Sequence, residues 1–381
     1  MHRLFAGIAP LLLAVAPAFA FVPNPPALDN KAYLLVDFDS GKVLAESNAQ
    51  ARVAPASLTK MMTSYLVEQA LVTGRLKETD PVFVSEYAWC RGTSAESCMY
   101  LPLNSQASVI DMLRGVIIQS GNDASKALAE HMAGNEPAFA ELMNKEAKRL
   151  GMTGTNFMNA TGLPDPNHYT TAFDLAVLAR AIIRDSQHYY PIYAEKEFTF
   201  NNIKQGNRNA LLFTDPTVDG LKTGHTNEAG YCLVASSKRG NMRLISVVMG
   251  TNSMQARADQ TRALFSWGFA NYDSAVLQNA GGVLATPKVW FGKSDLVKAG
   301  IASDLAVTLP RGQRDQVKME MVSNAEVEAP IAKGQELGTL NAVLDGKVIA
   351  STPLVAMEAV EEANVFVRIW HSIKRFFSNL F

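Results

Sequence analysis

Ser57-Leu58-Thr59-Lys60, Ser120-Gly121-Asn122 and Lys222-Thr223-Gly224 carry most of the chemistry legible in this chain. In the first, a hydroxyl and an amine are three residues apart, which puts them on one face of a helix. A lysine acts as a base only when neutral, and burial or a neighbouring cation lowers its pKa. Lys222 is a candidate for that cation. Ser57 and Lys60 therefore read as a nucleophile–base pair, a variant of the serine triad. Ser120 could relay a proton to a leaving amine, and Asn122 could bind an amide. Lys222 and Thr223 offer a charge and a hydroxyl to a carboxylate, and Gly224 leaves room for a substrate backbone. Each motif alone is weak. With average residue usage, S-x-x-K arises about once in a chain of this length and K-T-G in roughly one chain in ten. Their joint occurrence in this order is the signal.

The flanking patterns supply elements to hold them. Residues 32–38 and 43–45 read as a hairpin turning at Ser40-Gly41-Lys42. A helix starts near Ser57, with Leu58, Met61, Met62, Tyr65 and Leu66 at helical spacing. Further helices are expected over about 108–118, 122–133, 136–150 and 172–184, the last opened by Thr171 and Asp174 as a capping box. Strands follow over 217–224, 230–237 and 242–250, then a helix over about 256–270. This order implies an α/β (α+β) domain with an antiparallel sheet and segregated helices, the N-terminal hairpin joining the later strands. Residues 274–357 read as a small all-β domain. Val317, Met319 and Met321 alternate there with Lys318 and Glu320, the pattern of a strand with one buried face. Asp345-Gly346 is its hairpin turn.

Both ends carry address signals. Arg3, the apolar residues 8–16 and Ala18-Phe19-Ala20 form a secretory signal over residues 1–20. The catalytic domain is then expected over 21–273. Residues 363–381 form a strongly amphipathic helix. Val365, Phe366, Ile369, Trp370, Ile373, Phe376, Phe377, Leu380 and Phe381 share one half, while Arg368, His371, Ser372, Lys374, Arg375, Ser378 and Asn379 share the other; Val367 is misplaced. Such a helix lies in a membrane surface rather than spanning it. Packing on its own domain or on a partner is the alternative. A net charge of -1 gives no reason to expect nucleic acid. Three separated cysteines do not make a metal site, and no cofactor is expected. Cys90 and Cys98 form either a disulfide, which export favours, or two free thiols, and Cys232 reads as a buried small hydrophobe.

With these segments in their longer contexts (Pro55 to Thr63, Gln119 to Ala124, Val218 to Thr226), the chain resembles the low-molecular-mass penicillin-binding proteins of the D-alanyl-D-alanine carboxypeptidase type, most like the type-5 group. The likeness includes the β domain and the amphipathic tail. It implies that Ser57 attacks the bond between two D-alanines of a peptidoglycan stem peptide while Lys60 takes its proton. Ser120 and Lys222 assist proton transfer, and water releases the acyl group. The N–H groups of Ser57 and His225 form the oxyanion hole, and Thr223 with Arg257, in preference to Arg208, holds the terminal carboxylate. β-Lactams acylate Ser57, and the protein sits at the periplasmic face of the inner membrane. Two departures stand out: the Cys90–Cys98 loop, and Thr161 where relatives often have histidine. A D,D-endopeptidase or β-lactamase shares the motif set, and Glu136 mimics the start of the lactamase E-x-x-L-N pattern but lacks its Asn. A non-catalytic membrane-held scaffold is the remaining reading.

Overall fold

The computed structural model describes residues 22–91 and 96–378, so the expected leader lies outside the described residues. Strands β1 (Ala32–Asp37) and β2 (Val43–Ser47) form the expected hairpin. After a 3-10 turn at Ala56–Thr59 come α1 (Lys60–Val72), α2 (Asn122–Ala133), α3 (Glu136–Leu150) and α4 (Ala172–Asp185). The helix expected over 108–118 is α-helical only over Val109–Arg114 and continues as a π-helical turn, Gly115–Gln119. Then come β3 (Val218–Thr226), β4 (Gly230–Arg239), β5 (Met242–Thr251) and α5 (Met254–Asn271).

The five strands make one antiparallel sheet in the order β2-β1-β5-β4-β3, so β3 is an edge. Alternation along each strand sends side chains to opposite faces. Leu34, Val36, Val234 and Val247 face the helical block, whereas Leu35, Leu233, Leu244 and Val248 face α5. Helix starts follow local chemistry: Thr171 Oγ1 accepts the Asp174 N–H at 3.0 Å, capping α4. Gly151, with φ +83°, ends α3.

The helical block also buries a carboxyl. Glu68 accepts a hydrogen bond from Tyr193 Oη at 2.7 Å, and burial pushes its pKa up to about 7 against the opposing hydrogen bonds of Ser186 and Tyr193. An unfolded glutamate titrates near 4.5. Folding therefore takes up a proton between about pH 4.5 and 7. The stability linked to it is complete below that window and lost as pH rises through it, on the order of 3 kcal/mol. Glu68→Gln should flatten this part of the Tm–pH profile; an unchanged wild-type slope between pH 5 and 7 would refute the assignment.

The second domain begins at Tyr272 and has its own core around Val297, Ile301, Val307, Leu340 and Leu354. Its four-stranded sheet includes β6 (Lys318–Ser323), β7 (Glu336–Leu344) and β8 (Lys347–Ala356), with Asp345 and Gly346 at positive φ in the turn between the last two. The expectation of a buried face on β6 is corrected here. This is an edge strand, and Met319 and Met321 are exposed along with Lys318 and Glu320. Alternation reports burial only where another layer covers the face. The two domains are joined by Lys42 Nζ donating to the Thr308 carbonyl at 2.9 Å and Ser274 Oγ donating to Asp37 Oδ1 at 3.2 Å.

Helix α6 (Val365–Ser378) meets the second domain through its polar side. His371 is 7% exposed, and its Nδ1 accepts the Phe291 N–H at 2.8 Å beside the Trp290 ring. Arg368 pairs with Glu362 at 2.9 Å, and Arg375 pairs with Glu328. Val367, misplaced on the helical wheel, is half-buried, whereas Val365, Phe366, Ile369, Trp370, Ile373 and Phe376 are exposed.

Candidate active site

Ser57 lies in the 3-10 turn immediately before α1, with its hydroxyl at the lip of two clefts. Two close backbone approaches set this turn. A Cβ on Gly162 (φ +84°) would lie 1.8 Å from the Ala56 carbonyl oxygen, and one on Gly224 would lie 3.2–3.3 Å from Pro55, Ala56 and Leu58. Gly224 therefore lets β3 pack against the turn that bears Ser57, a use not legible in the motif itself.

Lys60 opens α1 and is 0% exposed. Its Nζ is 2.7 Å from Asn122 Oδ1, 2.6 Å from the Thr161 carbonyl and 3.1 Å from Ser57 Oγ. A neutral amine has two N–H donors and one lone pair. The amide and carbonyl oxygens can only accept, so they take the donors and leave the lone pair for the Ser57 O–H. Burial drives the Lys60 pKa down to about 7, with a smaller push from Arg208. Burial is thus the main cause, and Arg208 is a neighbouring cation beside the Lys222 expected from the sequence. Lys222 is itself buried and held well below its ordinary value by desolvation and then by Lys60.

The other residues converge from separate elements. Ser120 ends the π-helical turn with φ 67°, a left-handed conformation uncommon outside glycine. It is 2% exposed, and its Oγ has no hydrogen-bond partner among the described residues. Asn122 starts α2, and its amide is used at both ends: Oδ1 accepts from Lys60 while Nδ2 donates to Glu96 Oε2 at 2.8 Å. Lys222, Thr223, Gly224 and His225 line up along β3, with exposed His225 stacked on Tyr231 at 4.0 Å. Arg257, near the start of α5, donates to the Gly224 carbonyl at 3.3 Å and to the Arg208 carbonyl at 3.4 Å.

One cleft, of about 540 Å³, is walled by Ser57, Ser120, Thr223, Arg208, Arg257 and Tyr231, among others. A second, of about 340 Å³, lies past Ser57 along Asn122, Thr161 and Thr226. All ten candidate residues thus gather around Ser57. Glu96, Ser97 and Asp123 escaped the sequence reading. Glu96 lines both clefts and orients Asn122. Asp123 accepts the Met99 and Leu101 N–H groups at 2.8 and 3.1 Å and so ties the neighbouring loop to α2. The only advance signal was adjacency, Asp123 to Asn122 and Glu96 to the Cys90–Cys98 pair. Those cysteines are bonded, with Cα atoms 6.1 Å apart. Glu136 is spoken for elsewhere: its Oε1 accepts the Ala160 N–H at 2.9 Å and its Oε2 accepts from Tyr87 Oη.

A family model described as D-alanyl-D-alanine carboxypeptidase matches residues 20–253. The chain belongs to the D-alanyl-D-alanine carboxypeptidase family. A second model, described as the penicillin-binding protein 5 C-terminal domain, matches residues 272–362. Among curated carboxypeptidases of this family, the chain is similar to D-alanyl-D-alanine carboxypeptidase DacA of Haemophilus influenzae, with 47% identity over 92% of this chain and 90% of that one. Among solved structures it is similar to penicillin-binding protein 5 from Haemophilus influenzae, with a TM-score of 0.83 and 47% identity, covering 89% of this chain and all of that one. It is also similar to penicillin-binding protein D2 from Listeria monocytogenes in the ampicillin-bound form, with a TM-score of 0.59 and 30% identity, covering 65% of this chain and all of that one.

Proposed function

We propose that this carboxypeptidase removes the terminal D-alanine of peptidoglycan stem peptides through an acyl-enzyme on Ser57. The observation that carries the reading is the fully buried Lys60 amine 3.1 Å from Ser57 Oγ, its two donors already taken. Lys60 accepts the Ser57 proton as the hydroxyl attacks the carbonyl between the two D-alanines. The oxyanion is stabilised by the Ser57 and His225 N–H groups, each worth about 3 kcal/mol in comparable sites. Ser120 passes a proton to the departing amine, aided by Lys222. Thr223, Arg257 and Arg208 hold the terminal carboxylate, which places the leaving residue in the first cleft and the acyl portion in the second. β-Lactams acylate the same hydroxyl. Release of D-alanine from a diacylated Lys-D-Ala-D-Ala peptide tests the reading; no release from the folded protein would sink it.

The apolar side of α6 supports attachment to a membrane surface, on the periplasmic side if residues 1–20 direct export. Among the described residues no helix is long and apolar enough to cross a bilayer. Because Arg368 and Arg375 already pair with acids, attachment rests on apolar insertion rather than lipid charge. The full chain should therefore stay on phosphatidylethanolamine–phosphatidylglycerol vesicles in 1 M NaCl and be released by Phe366→Glu with Trp370→Glu. Release of the wild type by salt alone would overturn this.

A further inference from the structure

Asn122 holds the Lys60 amine by one end of an amide, and an amide can be turned end for end. With its oxygen toward Lys60 it takes a hydrogen and leaves the lone pair for Ser57. With its nitrogen there it would donate to that lone pair and block the base. Glu96 selects between the two. Its Oε2 accepts from Asn122 Nδ2 at 2.8 Å, which draws the amide nitrogen away and leaves Oδ1 facing Lys60.

Glu96 is itself held. Lys126, one turn along α2 from Asn122, has its Nζ 3.7 Å from the same Oε2, with the two side chains 14% and 20% exposed. That Nζ also lies over the Tyr87 ring, 5.6 Å from its centroid. Tyr87 Oη donates to Glu136, whose other oxygen accepts the Ala160 N–H at 2.9 Å. The next carbonyl, that of Thr161, is the second acceptor of the Lys60 amine. The contacts thus close a ring. Each oxygen that takes a Lys60 hydrogen is backed by a carboxylate, and the two carboxylates meet through Lys126 and Tyr87.

The ring brings charge to Lys60 as well as order. Asp123, Glu96 and Glu136 favour its protonated form, against burial and Arg208. Lys222 is the remaining titratable neighbour. Asp123 is engaged by the Met99 and Leu101 N–H groups, and Glu136 by Ala160 and Tyr87. Glu96 has a cation against it, so its influence on the amine depends on Lys126.

We propose that Glu96 and Lys126 are positioning residues for Lys60. Glu96 fixes which end of the Asn122 amide faces the amine, and Lys126 sets how much of the Glu96 charge reaches it. The inference rests on Lys60 being the base for Ser57.

The test is the rate of benzylpenicillin acylation of the full chain between pH 5 and 9. Glu96→Gln keeps an acceptor for Asn122 but removes the charge. Its plateau should stay within about twofold of wild type, while the midpoint of the rising limb moves down by about half a pH unit, the scale of a screened charge a few ångströms away. Lys126→Met leaves the Glu96 charge unopposed, so its midpoint should move up by a similar amount. The double variant should return close to wild type. Glu96→Ala frees the amide to turn and should lower the plateau about tenfold, the scale of one hydrogen bond to a charged group. Misfolding cannot produce shifts of opposite sign. Midpoints that do not move, or that move the same way in both single variants, would overturn the proposal, as would a wild-type plateau in Glu96→Ala. A wild type with no rising limb would withdraw Lys60 as the base and the proposal with it.

Discussion

Ser57→Ala abolishes D-alanine release, lowering kcat on the order of 10⁶-fold as in other serine hydrolases stripped of their nucleophile, and removes covalent labelling by penicillin. The expectation comes from geometry as well as motif. Ser57 Oγ is at the meeting of the two clefts and within reach of the buried Lys60 amine, whose donors are committed elsewhere. The substitution removes one exposed-side oxygen from a turn held by backbone contacts, so the fold survives and circular dichroism should match wild type. A variant that still releases D-alanine at more than about a thousandth of the wild-type rate would assign the nucleophile elsewhere.

Lys60 sets the second large effect and its pH dependence. With its pKa near 7, the neutral fraction rises with pH: below 7 most of the amine is protonated and cannot accept the Ser57 proton. The acylation rate should climb about tenfold per pH unit below 7 and level off above it. A lysine at its ordinary value would keep the rate climbing beyond pH 9. Lys60→Met should cost about 10⁴-fold, the upper range for a general base, and lose the rising limb. A wild-type rate that is flat from pH 5 to 8 would contradict the assignment, as would a Lys60→Met variant that keeps the limb.

The sequence showed most of the frame because its signals are local. The hairpin at Ser40-Gly41-Lys42, the cap at Thr171 and the turn at Asp345-Gly346 each depend on a few adjacent residues. The three motifs were legible for the same reason. What escaped depends on residues distant in the chain. Glu96 matters because the fold brings it to Asn122, and Gly162 because it abuts Ala56. The Lys60 pKa is lowered chiefly by burial, whose extent no motif records. β6 failed for a related reason: its alternation is real, but it is the edge strand of its sheet, beyond the part that the domain core covers, and it faces solvent on both sides.

The docking of α6 through His371, Arg368 and Arg375 has a geometric outcome. A tail held this way is a foot rather than a tether. If α6 lies on a bilayer as proposed, Lys42–Thr308 and Ser274–Asp37, which fasten the two domains, carry that placement on toward Ser57. On a membrane, the active site would travel at one height and one tilt. Substrate would be found by two-dimensional diffusion in a thin slab of cell wall, and strands outside that slab would be spared however abundant they were.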